Sequence, residues 1–282
     1  QKTAYEIRPR DWSSDVCSSD LWGLMLGLQC DPWQTGSLMM YGEWSKYESD
    51  TICSCLPVGG VALDVGANIG SLSVAMAKKV GQYGKVISFE PQRSAYALLC
   101  ANSALTHCLT QIEPVRAAVS DYEGVIDVPI VDINKAFNIG GVRLADKGYD
   151  EATGLPKEPV MCLTLDSLEL KRCDVLKIDV ETMESRVLRG ATKLLQSCRP
   201  VVFAEALAHV DNADEMKNCT DTIAILKEAN YDVRVFSPDL YAPDNIRYCD
   251  DNIFPGKDIN FCAMPNEKTK PDWFLELAAP EK

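Results

Sequence analysis

A glycine-rich turn lies between an apolar strand pattern and a helix pattern, in the segment Leu63-Asp64-Val65-Gly66-Ala67-Asn68-Ile69-Gly70. Gly66 can adopt backbone angles closed to other residues and lets the chain approach a ligand, and Gly70 permits close packing where the helix begins. A dinucleotide site would show G-x-G-x-x-G, with free amides facing a pyrophosphate. This turn lacks the first G-x-G, and Asp64 is poorly placed beside a phosphate. The pattern therefore disfavours a nicotinamide dehydrogenase.

The next two strand patterns each end at an acid. Phe89-Glu90-Pro91 puts a carboxylate about 20 residues past the glycines, the spacing of a ribose-binding acid. Glu90 can accept hydrogen bonds from both ribose hydroxyls. Asp121 could accept from an adenine amine, although a turn-forming Asp before Gly124 explains it almost equally well. The candidate cofactor-binding residues are Asp64, Gly66, Asn68, Gly70, Glu90 and Asp121.

The succession of motifs resembles that of FkbM-type methyltransferases, from about Tyr41 to Pro265. The matching segments are Tyr41-Gly42-Glu43-Trp44, Asp64 to Gly70, Phe89-Glu90-Pro91 with Asn102, Ala118 to Asp121, Leu176 to Glu181 and Val187-Leu188-x-Gly190-Ala191. The resemblance implies a class I (Rossmann-like) fold, S-adenosylmethionine as methyl donor, and O-methylation, commonly of sugars or polyketide-like natural products. The family usually has Gly where this chain has Thr182, and we expect that side chain to reshape the acceptor pocket. A binding protein that keeps the fold without turnover stays open as an alternative.

Acids also follow the fourth and fifth strand patterns, at Asp179, Glu181 and Glu205, with His209 just beyond. Strand alternation places Asp179 and Glu181 on one side of the chain. One of these four residues could take the acceptor proton during methyl transfer, which otherwise needs alignment and desolvation. Alternatively, Asp179 or Glu181 caps the following helix. Three carboxylates could instead hold a divalent metal, but we expect no metal here.

The elements that must position these residues alternate between strand and helix. Apolar runs predict strands at 61–65, 85–89, 113–119, 174–179 and 201–205, and one-sided apolar periodicity predicts helices at 71–79, 94–105, 183–196 and 214–229. This alternation predicts βαβ units and a doubly wound, mostly parallel sheet with helices on both faces. The candidate acids would then meet at the carboxyl edge of the sheet, where ligands bind in such folds.

Two regions depart from this alternation. Residues 121–168 are too many for a bare loop, and strand patterns at 124–130 and 159–165 flank the glycine-rich centre Asn138-Ile139-Gly140-Gly141. We predict an inserted β-hairpin that acts as a lid, with Asn138 to Arg143 near the mouth of the pocket. Near the other end, strand patterns at 231–236 and 259–264 predict a terminal antiparallel hairpin.

The first 21 residues match a translation of sequencing-adapter DNA at 1–7 and 11–21. We expect this segment to be non-native, exposed or detached, and without function. The predicted organisation is a lead-in at 22–56, the methyltransferase-like domain at 57–265 with its insert at 121–168, and a tail at 266–282.

Composition narrows the partners. The chain has 28 Lys and Arg against 41 Asp and Glu, a net charge of −13, which argues against nucleic acid or an anionic membrane and suits a cationic ligand as well as solubility. No apolar run is long enough to span a bilayer. The 12 cysteines form no CxxC pair, which favours small core residues in a reducing compartment over a zinc site. We expect a cytoplasmic protein with a small-molecule or glycan acceptor; the pattern specifies no oligomeric state.

Overall fold

The computed structural model describes residues 17–28, 31–132, 155–206, 212–254 and 259–280. The strands are β1 (Cys17–Asp20), β2 (Gly23–Leu26), β3 (Val61–Val65), β4 (Lys85–Phe89), β5 (Ile112–Val115), β6 (Ala118–Val119), β7 (Gly124–Pro129), β8 (Lys157–Leu163), β9 (Val175–Ile178), β10 (Val201–Glu205), β11 (Tyr231–Phe236) and β12 (Asn260–Pro265). The α-helices are α1 (Gln34–Tyr41), α2 (Lys46–Ser54), α3 (Ser71–Val80), α4 (Arg93–Leu105), α5 (Glu184–Arg189), α6 (Thr192–Ser197), α7 (Ala213–Glu228) and α8 (Asp272–Leu275).

The central sheet has the strand order β11-β12-β10-β9-β3-β4-β5. All neighbouring pairs are parallel except those of β12, which runs antiparallel to β10 and β11. The chain builds outward from β3 through β4 to β5 and then returns to β9 on the other side of β3. Ligands bind at such a switch in strand order, at the carboxyl ends of the strands. The predicted fold class, including the terminal antiparallel hairpin, is confirmed.

Apolar residues on the two faces of the sheet build two cores, because successive strand residues point to opposite faces. Leu63 and Val65 of β3 belong to a core that includes Val187 and Leu226 of α5 and α7. Ala62 of β3 belongs to the other core, with apolar residues of α2, α3, α4 and α8. Both faces are therefore covered by helices, which makes the sheet doubly wound.

The strand predicted at 113–119 is two strands in two sheets. β5 ends the central sheet at Val115, where the amide of Ala117 donates to the Val115 carbonyl oxygen (3.1 Å) in a tight turn. The chain then enters a second sheet of order β6-β8-β7, in which β7 and β8 form the antiparallel hairpin predicted within the insert. The centre of that insert, with Asn138 to Arg143, lies outside the described residues, so its lid role stays a prediction.

The helix predicted at 183–196 is interrupted and forms α5 and α6. Gly190, a weak helix former, lies at the break, where a Cβ atom would be only 2.1 Å from the Ser120 carbonyl oxygen. The carboxylate of Asp166 accepts hydrogen bonds from the amides of Lys193 (3.0 Å) and Leu194 (2.9 Å), and so starts a new helix there.

We expected the first segment to be exposed or detached; Leu21 is exposed, but the last residues of the segment are not detached. β1 pairs antiparallel with β2, and the amide of Leu21 donates to the Gly42 carbonyl oxygen (2.8 Å). Backbone pairing of this kind does not require selected side chains, since every non-proline residue offers the same donor and acceptor. The C-terminal segment also packs on the domain, because Phe274 of α8 is fully buried. Across the described ranges, no helix is long and apolar enough to cross a membrane.

Candidate functional site

A cavity of about 230 Å³ lies at the carboxyl edge of the central sheet. Its wall includes the ends of β3, β4, β9 and β10, and its lining contains Gly66, Glu90, Asp179 and Glu205. The structure thus brings Glu90, Asp179, Glu181 and Glu205 together next to the glycine-rich turn. Asp64, Gly70 and Asp121 are not part of this lining.

The glycine-rich turn fits closely against the neighbouring strand end. Gly66 has φ = 82°, and a Cβ atom there would lie 1.7 Å from the Asp179 carbonyl oxygen. The amides of Gly66 and Ala67 donate to the Phe89 carbonyl oxygen (3.0 and 2.9 Å). Gly70, with φ = 91°, brings the start of α3 against Leu99, which would be 2.7 Å from an added Cβ atom. Gly66 therefore shapes the cavity, whereas Gly70 serves helix packing behind it.

Glu90 is held in the cavity wall by backbone amides. Its Oε2 accepts from the amide of Asn68 and its Oε1 from the amide of Gln92, both at 2.8 Å, and the residue is 6% exposed. Burial raises the pKa of Glu90 to about 7, although the two amide hydrogen bonds oppose this shift. Each carboxylate oxygen keeps a second lone pair. The geometry suits a pair of vicinal ribose hydroxyls.

Asp64 serves a buried polar network beneath the turn. It is fully buried, accepts a hydrogen bond from the Ser73 hydroxyl (2.5 Å), and lies 3.7 Å from the ammonium of Lys177. Burial raises the pKa of Asp64, while Lys177 and Ser73 oppose that shift. Asp64 is therefore placed to support the donor turn from behind rather than to contact a ligand.

Lys177 is a buried cation in the cavity wall that sequence reasoning missed. Its Nζ donates to Asp179 Oδ2 (3.0 Å) and to the Gly66 carbonyl oxygen (3.4 Å), so it ties β9 to the turn after β3. Burial alone would lower the pKa of Lys177, but the charges of Asp179 and Asp64 outweigh it and raise the pKa, so the group stays an ammonium. The available signal was a lysine inside the otherwise apolar strand Val175–Ile178.

Asp121, predicted to bind adenine, lies outside the cavity lining. It follows β6 of the second sheet, and its carboxylate pairs with Arg186 (3.0 Å) and accepts from the Ser120 hydroxyl (3.1 Å). Burial would raise the pKa of Asp121, but Arg186 outweighs it and the pKa is lowered. The cavity is lined near this point by the residues that link β5 to β6 and by β6 itself, Ala117, Ala118 and Val119. Asp121 lies just past these residues and pairs with Arg186 of α5 instead.

The acids Asp179, Glu181 and Glu205 meet at the cavity, each offering a carboxylate oxygen within 4.8 Å of the others. The N-cap of α5 is Met183, so neither Asp179 nor Glu181 occupies the capping position considered from sequence. Such acids are common without a metal, and Lys177 already supplies Asp179 with a positive partner. His209, the other candidate base, lies outside the described residues.

The backbone at this corner is left-handed at two successive non-glycine residues, Glu181 (φ = 51°) and Thr182 (φ = 78°). A β-branched residue at positive φ is a strained outlier, and glycine would adopt this conformation freely. Thr182 is not among the residues that line the cavity, whereas Glu181 and Met183 are. We expected Thr182 to reshape the acceptor pocket, but its side chain does not line the cavity, and its effect is on backbone strain.

The N-terminal lead-in closes the other part of the cavity, which sequence reasoning did not foresee. Asp31 starts α1 by accepting from the amides of Trp33 (2.9 Å) and Thr35 (3.0 Å). The ring of Trp33 stacks on Phe254, and Trp44 meets the same ring edge-on, with centroid distances of 6.0 Å in both pairs. The lead-in contributes Asp31, Trp33, Gln34, Trp44 and Glu48 to the lining.

The strand order, the antiparallel β12, the glycine turn after β3 and the acid after β4 together define a class I methyltransferase fold. A family model described as the methyltransferase FkbM domain matches residues 64–233, more than half of the chain. The chain belongs to the FkbM methyltransferase family. This confirms the family that the sequence motifs indicated.

Individual relatives are distant. The methyltransferase sdnD of Sordaria araneosa is 28% identical over 162 residues, which cover 48% of this chain and 61% of that protein, less than two thirds of its length. Among solved structures, methyltransferase FkbM from Methylobacillus flagellatus KT is 13% identical with a TM-score of 0.44, covering 84% of this chain and 62% of that one. A putative O-methyltransferase from Klebsiella pneumoniae is 12% identical with a TM-score of 0.48, covering 78% and 80%.

Proposed function

We propose that the protein transfers the methyl group of S-adenosylmethionine to a hydroxyl group of a small acceptor, a sugar or another natural product. One observation carries this proposal: a single cavity is lined both by the donor turn with Glu90 and by the acids Asp179, Glu181 and Glu205. Donor and acceptor can therefore meet without an intervening wall.

The residues at the turn fit the donor. Glu90 presents two held oxygens for the ribose, and Gly66 allows the turn to pack against the Asp179 carbonyl oxygen, where any side chain would clash. Gln92 lines the same cavity, is 5% exposed, and its Nε2 has no hydrogen-bond partner within the part of the chain that the structure describes. A buried N–H group without a hydrogen-bond partner is costly, so we expect a ligand atom to accept a hydrogen bond from Gln92. We assign Gly66, Asn68, Glu90 and Gln92 to the binding of S-adenosylmethionine.

The bound donor supplies an electrophilic methyl group, and the chain's own residues supply alignment, exclusion of water and a proton acceptor. Asp179 already accepts a hydrogen bond from the ammonium of Lys177, so we assign it to positioning β9 against the Gly66 turn. Glu181 and Glu205, at the ends of neighbouring strands, are then the candidates to take the acceptor's hydroxyl proton. His209 stays a further candidate.

The test separates turnover from donor binding. Glu181→Gln and Glu205→Gln, singly and together, should lower kcat roughly 10²–10⁴-fold with a panel of hydroxylated acceptors. The affinity for S-adenosylhomocysteine, measured by calorimetry, should change less than about twofold because Glu90 and Gln92 are untouched. Glu228→Gln, an exposed acid on α7, is the matched control for loss of one negative charge. A double variant with wild-type kcat would refute the assignment, and donor binding without methyl release across the panel would favour a binding protein.

A further inference from the structure

The cavity has a large excess of negative charge. Six carboxylates line it, and Lys177 is the one cation among the described residues of its wall; the acids are Asp31, Glu48, Glu90, Asp179, Glu181 and Glu205. The donor carries a sulfonium, an ammonium and a carboxylate, a single net positive charge. The cavity stays strongly negative even if one of these carboxylates, such as Glu90, is protonated. A positively charged acceptor would be attracted to it.

Two tryptophans give part of this cavity aromatic walls. Trp33 and Trp44 are partly exposed, line the cavity, and are held against the ring of Phe254. The face of an indole ring attracts an ammonium group, most strongly where the cation is shielded from water. Glu48, which is 6% exposed, lies in the same wall. Indole faces with a buried carboxylate are a suitable environment for an ammonium ion.

Gln34 provides an independent sign of a missing ligand donor. It lines the cavity and is only 8% exposed, and its Oε1 finds no hydrogen-bond donor in the ranges that the structure covers. Leaving a buried acceptor without a donor costs about 1–3 kcal/mol. An N–H group of a ligand would satisfy this oxygen.

We propose that the acceptor is a hydroxyl compound bearing a protonated amino group, which binds among Trp33, Gln34, Trp44 and Glu48. This inference rests on the proposed function. The ammonium has no lone pair to attack the methyl group, so it binds while the neighbouring hydroxyl oxygen forms the new C–O bond. The C–S bond of the donor breaks, its electron pair stays on sulfur, and the hydroxyl proton passes to the acid. An amino sugar or an aminocyclitol has this chemistry.

The test compares probes that differ in charge but hardly in shape. We would measure the affinity of the S-adenosylhomocysteine complex of the full chain for trans-4-aminocyclohexanol and for trans-4-methylcyclohexanol, by calorimetry at pH 7. The ammonium probe should bind about 10- to 30-fold more tightly, the size expected for a shielded cation–π contact. The ratio of the two affinities should fall as salt is raised from 20 to 200 mM, because salt screens the attraction between the acids and the ammonium. This comparison requires no substitution.

Two variants then locate the effect. Trp33→Leu and Glu48→Gln should each reduce the ratio of the two affinities at least about threefold, while the affinity for S-adenosylhomocysteine stays within twofold. Trp273→Leu and Glu228→Gln are controls of the same chemistry outside the cavity. If Trp33→Leu fails to fold, Glu48→Gln carries the test.

Equal binding of the two probes, tighter binding of the neutral probe, or no binding of either would overturn the proposal. If the protein then still methylates neutral alcohols, the proposed function stands without it. Absence of S-adenosylhomocysteine binding would instead refute the proposed function itself.

Discussion

Replacing Glu90 by glutamine should make the free protein less sensitive to alkaline pH and at the same time weaken donor binding. Glu90 is buried, and burial raises its pKa from 4.5 to about 7. The folded state therefore binds a proton more tightly than the unfolded state does. Glu90 therefore contributes its full stabilisation below pH 4.5 and loses it as pH rises to about 7. Above that pH, the contribution of Glu90 no longer changes.

The size of this effect follows from the two pKa values. Between pH 5 and pH 8, a carboxyl group with a pKa of 4.5 unfolded and about 7 folded contributes a loss of about 2 kcal/mol. Glu90→Gln removes this contribution. Any pH-independent cost of facing a glutamine amide toward Asn68 or Gln92 cancels, because only the difference between the two pH values is compared. Glu43 and Glu184, whose pKa values are also about 7, remain in both proteins.

The assay is urea unfolding at pH 5 and pH 8 without cofactor, for the wild type, Glu90→Gln and the control Glu228→Gln. The wild type and the control should lose about 2 kcal/mol more over this range than Glu90→Gln does. At pH 8 the variant should bind S-adenosylhomocysteine about 1.5–3 kcal/mol more weakly, the range for a lost charge-assisted hydrogen bond. Equal pH dependence would refute the buried-acid argument, and wild-type donor affinity would refute the ribose assignment.

Two further substitutions test the backbone at the site. Thr182→Gly should raise the free energy of unfolding by about 1 kcal/mol, because relief of left-handed strain exceeds the entropy cost of glycine. The control Thr220→Gly, within α7, should lower the free energy of unfolding. A lower melting temperature of Thr182→Gly would show that the backbone at Thr182 is not strained. Gly66→Ala should destabilise the protein by more than about 2 kcal/mol and abolish donor binding, since the new Cβ meets the Asp179 carbonyl oxygen. Gly81→Ala, at φ = 68° with open space around it, isolates the conformational cost alone, and equal losses in both variants would exclude the clash.

The sheet was predictable because its strands are short apolar runs with clear ends. The predicted bounds 61–65, 85–89 and 201–205 match β3, β4 and β10. The rule that ligands gather at the carboxyl ends of parallel strands then placed Glu90, Asp179, Glu181 and Glu205 together without any knowledge of side-chain contacts. Both steps depend only on local pattern and on topology.

What could not be predicted depends on how distant segments dock. Asp121 was expected to bind the cofactor, but it lies outside the cavity lining and pairs with Arg186, a contact between distant segments. Trp33, Gln34 and Glu48 precede the first strand of the central sheet, and no periodicity indicates that their helices close the cavity. Lys177 interrupts an apolar strand pattern. Its burial is explained only by the carboxylates of Asp64 and Asp179, which lie beside its ammonium in the folded chain.

The left-handed backbone at Glu181 and Thr182 bears on whether the chain has kept a working site. Strain of this kind costs about 1–3 kcal/mol and persists only where the surrounding structure requires it. Here the turn sets the course of the chain from β9 into α5, and it leaves the carboxylate of Glu181 within 4.8 Å of those of Asp179 and Glu205. Thr182 takes the conformation that glycine would adopt, so the substitution preserves the arrangement of acids at a cost in stability. The turn therefore keeps Glu181 beside Asp179 and Glu205, the arrangement that the proposed methyl transfer requires.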